Sequence, residues 1–227
     1  MSFTRWALPL LLLLCPALAM AQEGFTGYLQ PKVSLNYPVT PAYSHNFSVN
    51  PRVYFRNEGN TALRTRHLDL SHFSSFRWGP HRSFGFGLLY RFREIFESEN
   101  ENELRLVQQL NFTKRARALR FGHRLRTEQR IQPGSTIHRF RYRFATDGPL
   151  QGEKLDVGET YWIGSLESLL SAGKGMGPEY DLRISGWLGY LLRDGLKIQG
   201  GVQYRQEDLS NASASVLFVM TSMVLSL

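Results

Sequence analysis

Leu119-Arg120-Phe121-Gly122-His123-Arg124-Leu125-Arg126-Thr127-Glu128-Gln129-Arg130-Ile131 alternates along its length. Leu119, Phe121, Leu125 and Ile131 are apolar, whereas Arg120, Arg124, Arg126, Glu128 and Arg130 are charged. A period of two gives an extended strand one apolar face and one ionic face. After a loop at 132–136 the pattern resumes, with Phe140, Tyr142 and Phe144 set between Arg139, Arg141 and Arg143. Two neighbouring strands therefore stack seven arginines and one glutamate on a single face. In a soluble sandwich the apolar face turns inward. In a transmembrane barrel it meets lipid, and the arginines line a wet lumen.

The same alternation recurs on both sides of this pair. It predicts strands at 27–37, 46–57, 63–78, 83–96 and 103–112 before it, and at 161–170, 181–192, 196–205 and 216–227 after it. Phe84, Phe86, Leu88, Tyr90 and Phe92 oppose Gly85, Gly87, Arg91 and Arg93, so small inner residues leave room for long side chains from neighbouring strands. His72-Phe73 breaks the pattern of its strand and predicts a bulge. Asp194-Gly195 is a two-residue hairpin signal. The count is eleven, and single-chain bacterial barrels have an even number of strands. The expected fold is thus an all-β, antiparallel up-and-down transmembrane β-barrel of ten to twelve strands. Twelve is favoured if one strand is hidden before Tyr28 or near Lys154.

Three features separate the barrel from a soluble sandwich. The strands run about ten residues or more, the length a tilted spanning strand needs, where soluble strands more often have five or six. Connections alternate between short turns at Pro38, Gly79, Lys114 and Asp194 and longer polar loops at Glu58, Glu97, Gln132 and Gly173. Tyr37, Phe55, Trp78, Phe92, Phe112, Tyr190 and Tyr204 lie near the ends of apolar faces, as interfacial girdles require. Arginines from many strands cannot share a dry core, because each buried unpaired charge costs several kcal/mol. A watery lumen or a dense arginine–carboxylate network removes that cost.

The chain has 227 residues, enough for one domain. Residues 1–21 read as a secretory signal peptide: Arg5, an apolar run from Ala7 to Leu14, then the small-x-small site Ala19-Met20-Ala21. The barrel domain is 22–227, and the expected location is the cell outer membrane. Cys15, the single cysteine, lies inside the leader, so the mature chain can form neither a disulfide nor a cysteine zinc site. The formal charge of +8 becomes +7 once Arg5 is subtracted. The cations alternate with aromatics in strands, unlike the clustered footprint of a nucleic-acid binder, so no nucleic-acid partner is expected. After Gln22 no run of about 18 apolar residues exists to form a membrane helix.

The segment His123-Arg124-Leu125-Arg126-Thr127-Glu128-Gln129-Arg130, followed by Arg139-Phe140-Arg141-Tyr142, resembles the family catalogued as domain of unknown function 2490. Tyr161, Glu167 and the terminal hairpin extend the likeness. The resemblance implies a secreted Gram-negative outer-membrane barrel and carries no catalytic residue to transfer. The last strand is similar to the signal that barrel-assembly machinery reads, although it ends in Leu227 where a terminal Phe is preferred.

The arginine face has two readings. Glu128, Glu167, Glu103 and Asp69 can neutralise Arg120, Arg124, Arg126, Arg139 and Arg141 and lock register inside a narrow barrel. Together with Arg130, Arg143 and Arg183, the same residues can instead line an anion-attracting pore. The expected function is a non-enzymatic barrel, structural or a narrow anion-preferring passive channel. Its partners are outer-membrane lipid, the assembly machinery and small anions, with no cofactor. The alternative is a lipid-modifying hydrolase with a Ser/His site near the membrane boundary. His45, His67, His72, His81, His123 and His138 supply candidates, and His72 has Ser71, Ser74 and Ser75 beside it. No signature fixes a nucleophile or a metal set.

Overall fold

The computed structural model describes residues 26–57, 59–211 and 213–227. The expected signal peptide at 1–21 lies outside the described residues. Eleven strands follow one another: β1 (Thr26–Thr40), β2 (Tyr43–Asn57), β3 (Asn60–Arg77), β4 (Arg82–Phe92), β5 (Glu103–Ala116), β6 (Leu119–Gln132), β7 (Ser135–Pro149), β8 (Thr160–Gly173), β9 (Met176–Arg193), β10 (Leu196–Glu207) and β11 (Ala214–Ser226). Each pairs with its sequence neighbour, and β1 closes the barrel on β11.

The expectation of a twelfth strand is corrected. Every consecutive pair is antiparallel, so an odd number leaves the first and last strands pointing the same way. They pair in parallel, from Thr26 opposite Val216 to Asn36 opposite Ser226. The candidate hidden strand near Lys154 is instead an irregular connection between β7 and β8. Thr26 and Ser226 accordingly lie at opposite ends of the barrel.

Alternating loop length is also corrected. Of the four connections expected to be long, only 93–102 is; the turns at 58–59, 133–134 and 174–175 hold two residues each. Gly59, Gly134 and Gly175 adopt φ of 83°, 79° and 75°, which is how two residues can reverse the chain. The other ten-residue connection, 150–159, sits at the opposite end from 93–102. The Asp194-Gly195 hairpin forms as expected, with φ of 77° at Gly195.

The faces divide as the alternation predicts. Leu188 is 63% exposed, and Phe86, Leu125, Phe140, Leu166 and Leu182 share its outer surface. Tyr43, Phe76 and Phe84 stack in succession there, with ring centroids 4.6 and 5.1 Å apart. Gln108, Thr127 and Gln129 interrupt the apolar belt, and their side chains bond one another at 2.5–3.2 Å. Mutual pairing satisfies most of the polar atoms that an apolar surround leaves stranded.

No bulge occurs at His72-Phe73. The β2–β3 ladder runs straight through them, and its register shifts fall instead between Arg52 and Val53 and between Tyr54 and Arg56. His72 points outward and stacks on Phe47 at 4.7 Å. Phe73 points inward, its ring lying directly over Gly87 where any β-carbon would collide with it. Tyr161 covers Gly189 and Trp187 covers Gly201 in the same way. Glycine on the inner wall thus lets an aromatic ring from the next strand lie flat against the backbone.

Candidate functional site

The lumen is built from inward residues of every strand, and its two halves differ. One half holds the starts of β1, β5 and β11 and the ends of β2, β4 and β6. Here Arg91 grips Asp69 with two bonds of 2.6 and 2.7 Å. Glu103, 0% exposed, accepts from Arg105 and from Arg130 at 2.7 and 3.1 Å, with Arg93 at 3.8 Å. Glu128, 3% exposed, sits among Arg141, Arg126 and Arg105 at 3.6, 3.7 and 3.9 Å. Glu167 lies 3.9 Å from Arg141 and 3.8 Å from Arg183, and Arg183 also reaches Asp181 at 3.0 Å. From Glu103 on β5 to Asp181 on β9 the ion pairs form one continuous chain inside the lumen, and the Asp69–Arg91 pair stands beside it as a separate pair.

An aromatic cluster faces this network from β1, β2 and β11. Tyr28, Tyr54, Phe218, Met220 and Val216 pack together, with Tyr28 stacked on Phe218 at 5.0 Å. Arg205 lies over the Phe218 ring at 3.7 Å, Arg52 approaches the same ring at 4.8 Å, and Arg66 donates to the Tyr28 hydroxyl. Desolvated guanidinium over an aromatic face is worth up to about 2 kcal/mol or more. It neutralises nothing, so the positive surplus of the lumen remains.

The alternating strands bring most of the expected residues together. Arg126, Glu128, Arg130, Arg141, Glu167 and Arg183 join the carboxylate network. Arg124 and Arg139 do not: they donate to neutral partners, Asn111 Oδ1 and Ser171 Oγ, both at 2.8 Å. Arg120 pairs with Asp147 at 2.9 Å near the barrel's end, where its side chain is largely exposed. Arg143 stands across the ladder from Glu167, whose oxygens turn to Arg141 and Arg183. Asp181 extends the network through Arg183, and Arg205 forms a separate pair with Glu207; neither was matched to a partner from sequence. Asp181 pairs with Arg183 at 3.0 Å, and Arg205 with Glu207 at 3.7 Å; each partner lies two residues along the same strand, on the same inner face, so these pairings were readable from the alternation.

The histidine candidates scatter. His67 is inside, 3.8 Å from Asp69. His123 is outside, bonded to Tyr142 Oη at 2.8 Å. Ser71 and Ser75 face the lumen, so neither can meet His72. On the outer face His45 Nδ1 lies 2.9 Å from His72 Nε2 and 3.3 Å from Ser74 Oγ, which is itself 3.3 Å from the Tyr43 hydroxyl. One ring nitrogen serves both neighbours, and the shorter contact is to the other histidine. No cluster of three or more potential acidic, histidine or cysteine metal ligands occurs among the described residues.

A closed wall, apolar outside and ionic within, defines an inside-out β-barrel. The chain belongs to the family described as protein of unknown function (DUF2490), whose model matches residues 31–216. Among curated proteins none matches the chain.

Proposed function

We propose that this protein is a non-enzymatic outer-membrane β-barrel whose lumen is closed across one half by its own ion-pair network. The outer face supports the membrane setting: exposed apolar side chains recur on every strand around the whole barrel, whereas a soluble monomer carries an apolar patch of only about a few hundred Å². The single observation that carries the closure is the burial of Glu103 and Glu128 among arginines from β4 to β7. Carboxylates sealed from water in this way leave no continuous aqueous path beside them. The structural reading is therefore preferred to the anion-preferring channel. Outer-membrane lipid surrounds the wall, and β11 presents the C-terminal strand to the assembly machinery.

Planar-bilayer recording with purified folded protein tests closure. The expected trace shows no steady current above that of the bare bilayer. A steady current with anion selectivity would replace the closed lumen with the channel.

A second reading, lipid-directed hydrolysis, is favoured by the Ser74–His45–His72 contacts on the outer face. A serine nucleophile needs a base whose accepting nitrogen is directed at it and whose other nitrogen is held by an orienting group. His45 directs one nitrogen at both neighbours, which weighs against the reading. Folded protein in phospholipid and lipopolysaccharide vesicles is expected to release no fatty acid. Release that disappears in both Ser74→Ala and His45→Ala would establish the hydrolase.

A further inference from the structure

The outer wall carries a polar cluster that the ion-pair network does not use. Tyr43 and His45 on β2 and His72 and Ser74 on β3 all point outward and are half-buried. Residues two apart on a strand share a face, so the alternation itself groups them. His45 stands across the ladder from Ser74, and His72 lies one step diagonally, opposite Phe47. His45 Nδ1 is 2.9 Å from His72 Nε2 and 3.3 Å from Ser74 Oγ. The Ser74 hydroxyl is in turn 3.3 Å from that of Tyr43.

Aimed at two neighbours at once, His45 Nδ1 makes a poor base. The same convergence suits a cation. Two donor atoms each about 2.0–2.1 Å from one ion stand about 2.9 Å apart at a right angle and about 3.3 Å apart at the tetrahedral angle. Both distances around His45 Nδ1 match such separations, so small ring rotations suffice to bring two imidazoles and a hydroxyl onto one ion. Imidazole nitrogen is a donor that zinc and copper favour. Neighbouring rings hold the ligands in place: His72 stacks on Phe47 at 4.7 Å, and Tyr43 meets the His45 ring edge-on at 4.8 Å. Side chains locked by packing keep their donor atoms aimed. Two histidines and a hydroxyl fall short of the four protein ligands of a structural zinc site, so the arrangement suits exchangeable binding with water in the remaining positions.

Depth fits as well. β2 has 15 residues. At about 3.3 Å per residue and a tilt of about 40° it stands about 38 Å tall, against an apolar band of about 25 Å. Its ends therefore project past the band. His45, third residue of β2, lies at the band's edge, where water supplies both a route for the ion and its last ligands.

We propose that His45 and His72, with the Ser74 hydroxyl, bind a divalent transition-metal ion of the copper or zinc class at the rim of the outer wall. The site stands on the outer face alone, so a bilayer current would remove the closed lumen and leave it untouched. Copper(II) chloride is titrated into the full mature barrel folded in a zwitterionic detergent. Calorimetry reads the stoichiometry, and electron paramagnetic resonance reads the nitrogens coupled to the metal. The expected result is one saturable equivalent with two coupled imidazole nitrogens. His45→Gln and His72→Gln are each expected to weaken binding at least tenfold and to leave no more than one coupled nitrogen. His123→Gln, which removes another outer histidine, already bonded to Tyr142, is expected to change nothing. Should either variant fail to fold, the wild-type barrel is treated with diethyl pyrocarbonate, and bound copper is expected to shield His45 and His72 but not His123. No saturable binding, wild-type affinity in either variant, or equal modification with and without copper overturns the site.

Discussion

Replacing Glu103 by Gln is expected to lower the unfolding free energy by about 3–5 kcal/mol, the loss typical of removing one partner from a buried ion pair. The side chain is 0% exposed and faces Arg105, Arg130 and Arg93. The amide keeps the shape but carries no charge and only one accepting oxygen, and its NH2 is a donor facing guanidinium donors. Three guanidinium groups then lose their one shared counter-ion in a place water does not reach. Asp147→Asn is the matched control. It also breaks an arginine pair, but the Arg120 side chain is 54% exposed, and exposed pairs contribute about 0–1 kcal/mol. Both are read from urea unfolding in vesicles, followed by tryptophan fluorescence and by the shift of the folded band on unheated gels. Equal, small effects at the two sites would mean that the interior is wet around Glu103 and that the network does not close the lumen. Adding Arg130→Met to Glu103→Gln should recover part of the loss, because the cost lies in the unpaired charge and not in the pair's net strength.

How far the sequence carried this network depends on which link is considered. Parity along a strand is a local property, so Arg124, Arg126, Glu128, Arg139 and Arg141 could be placed on one inner face from the alternation alone. Ladder neighbours follow once the 133–134 turn fixes register: Glu128 falls opposite Arg139, and Arg126 opposite Arg141. Yet Glu128 makes its ion pairs with Arg126, Arg105 and Arg141, while Arg139 turns to Ser171. Direction of a long side chain depends on curvature and on competing partners, and neither is written in one strand's pattern. Phe73 shows the same limit differently. Its apparent break in alternation is a ring placed over Gly87 on the adjacent strand, visible only once the two strands are paired. The odd strand count was present in the sequence. The general preference for even barrels argued for a twelfth strand, and the parallel closure of β1 on β11 made one unnecessary.

The second large effect concerns the outer wall. Leu166 sits midway along β8, 53% exposed, between Phe144 and Ile184 on the neighbouring strands. If the wall faced water, Leu166→Arg would change stability by no more than about 0.5 kcal/mol in either direction, as surface substitutions do. In a bilayer the same arginine lies at the depth where it costs about 2–4 kcal/mol on a barrel's lipid face, and the cost falls to about 0–1 near the interfaces. Trp162, two inter-residue steps of outward parity closer to the rim of the same strand, supplies the shallow comparison. The expected result is a large loss for Leu166→Arg and a small one for Trp162→Arg, measured by unfolding midpoints in vesicles. The gap should shrink when the same proteins are unfolded from a detergent micelle, whose charged side chains find water more readily. Arginine tolerated equally at both depths would remove the membrane from around this wall. The outer Phe, Leu and Tyr rows would then need a protein partner to cover them, while the closed barrel and its ionic interior would stand. Depth dependence is the sharper of the two readouts because the same arginine is introduced on the same strand and face at two depths. The charge added to the unfolded chain is the same in both variants, and the larger apolar side chain is the one removed at Trp162, so a greater loss at Leu166 reports the surroundings of the wall.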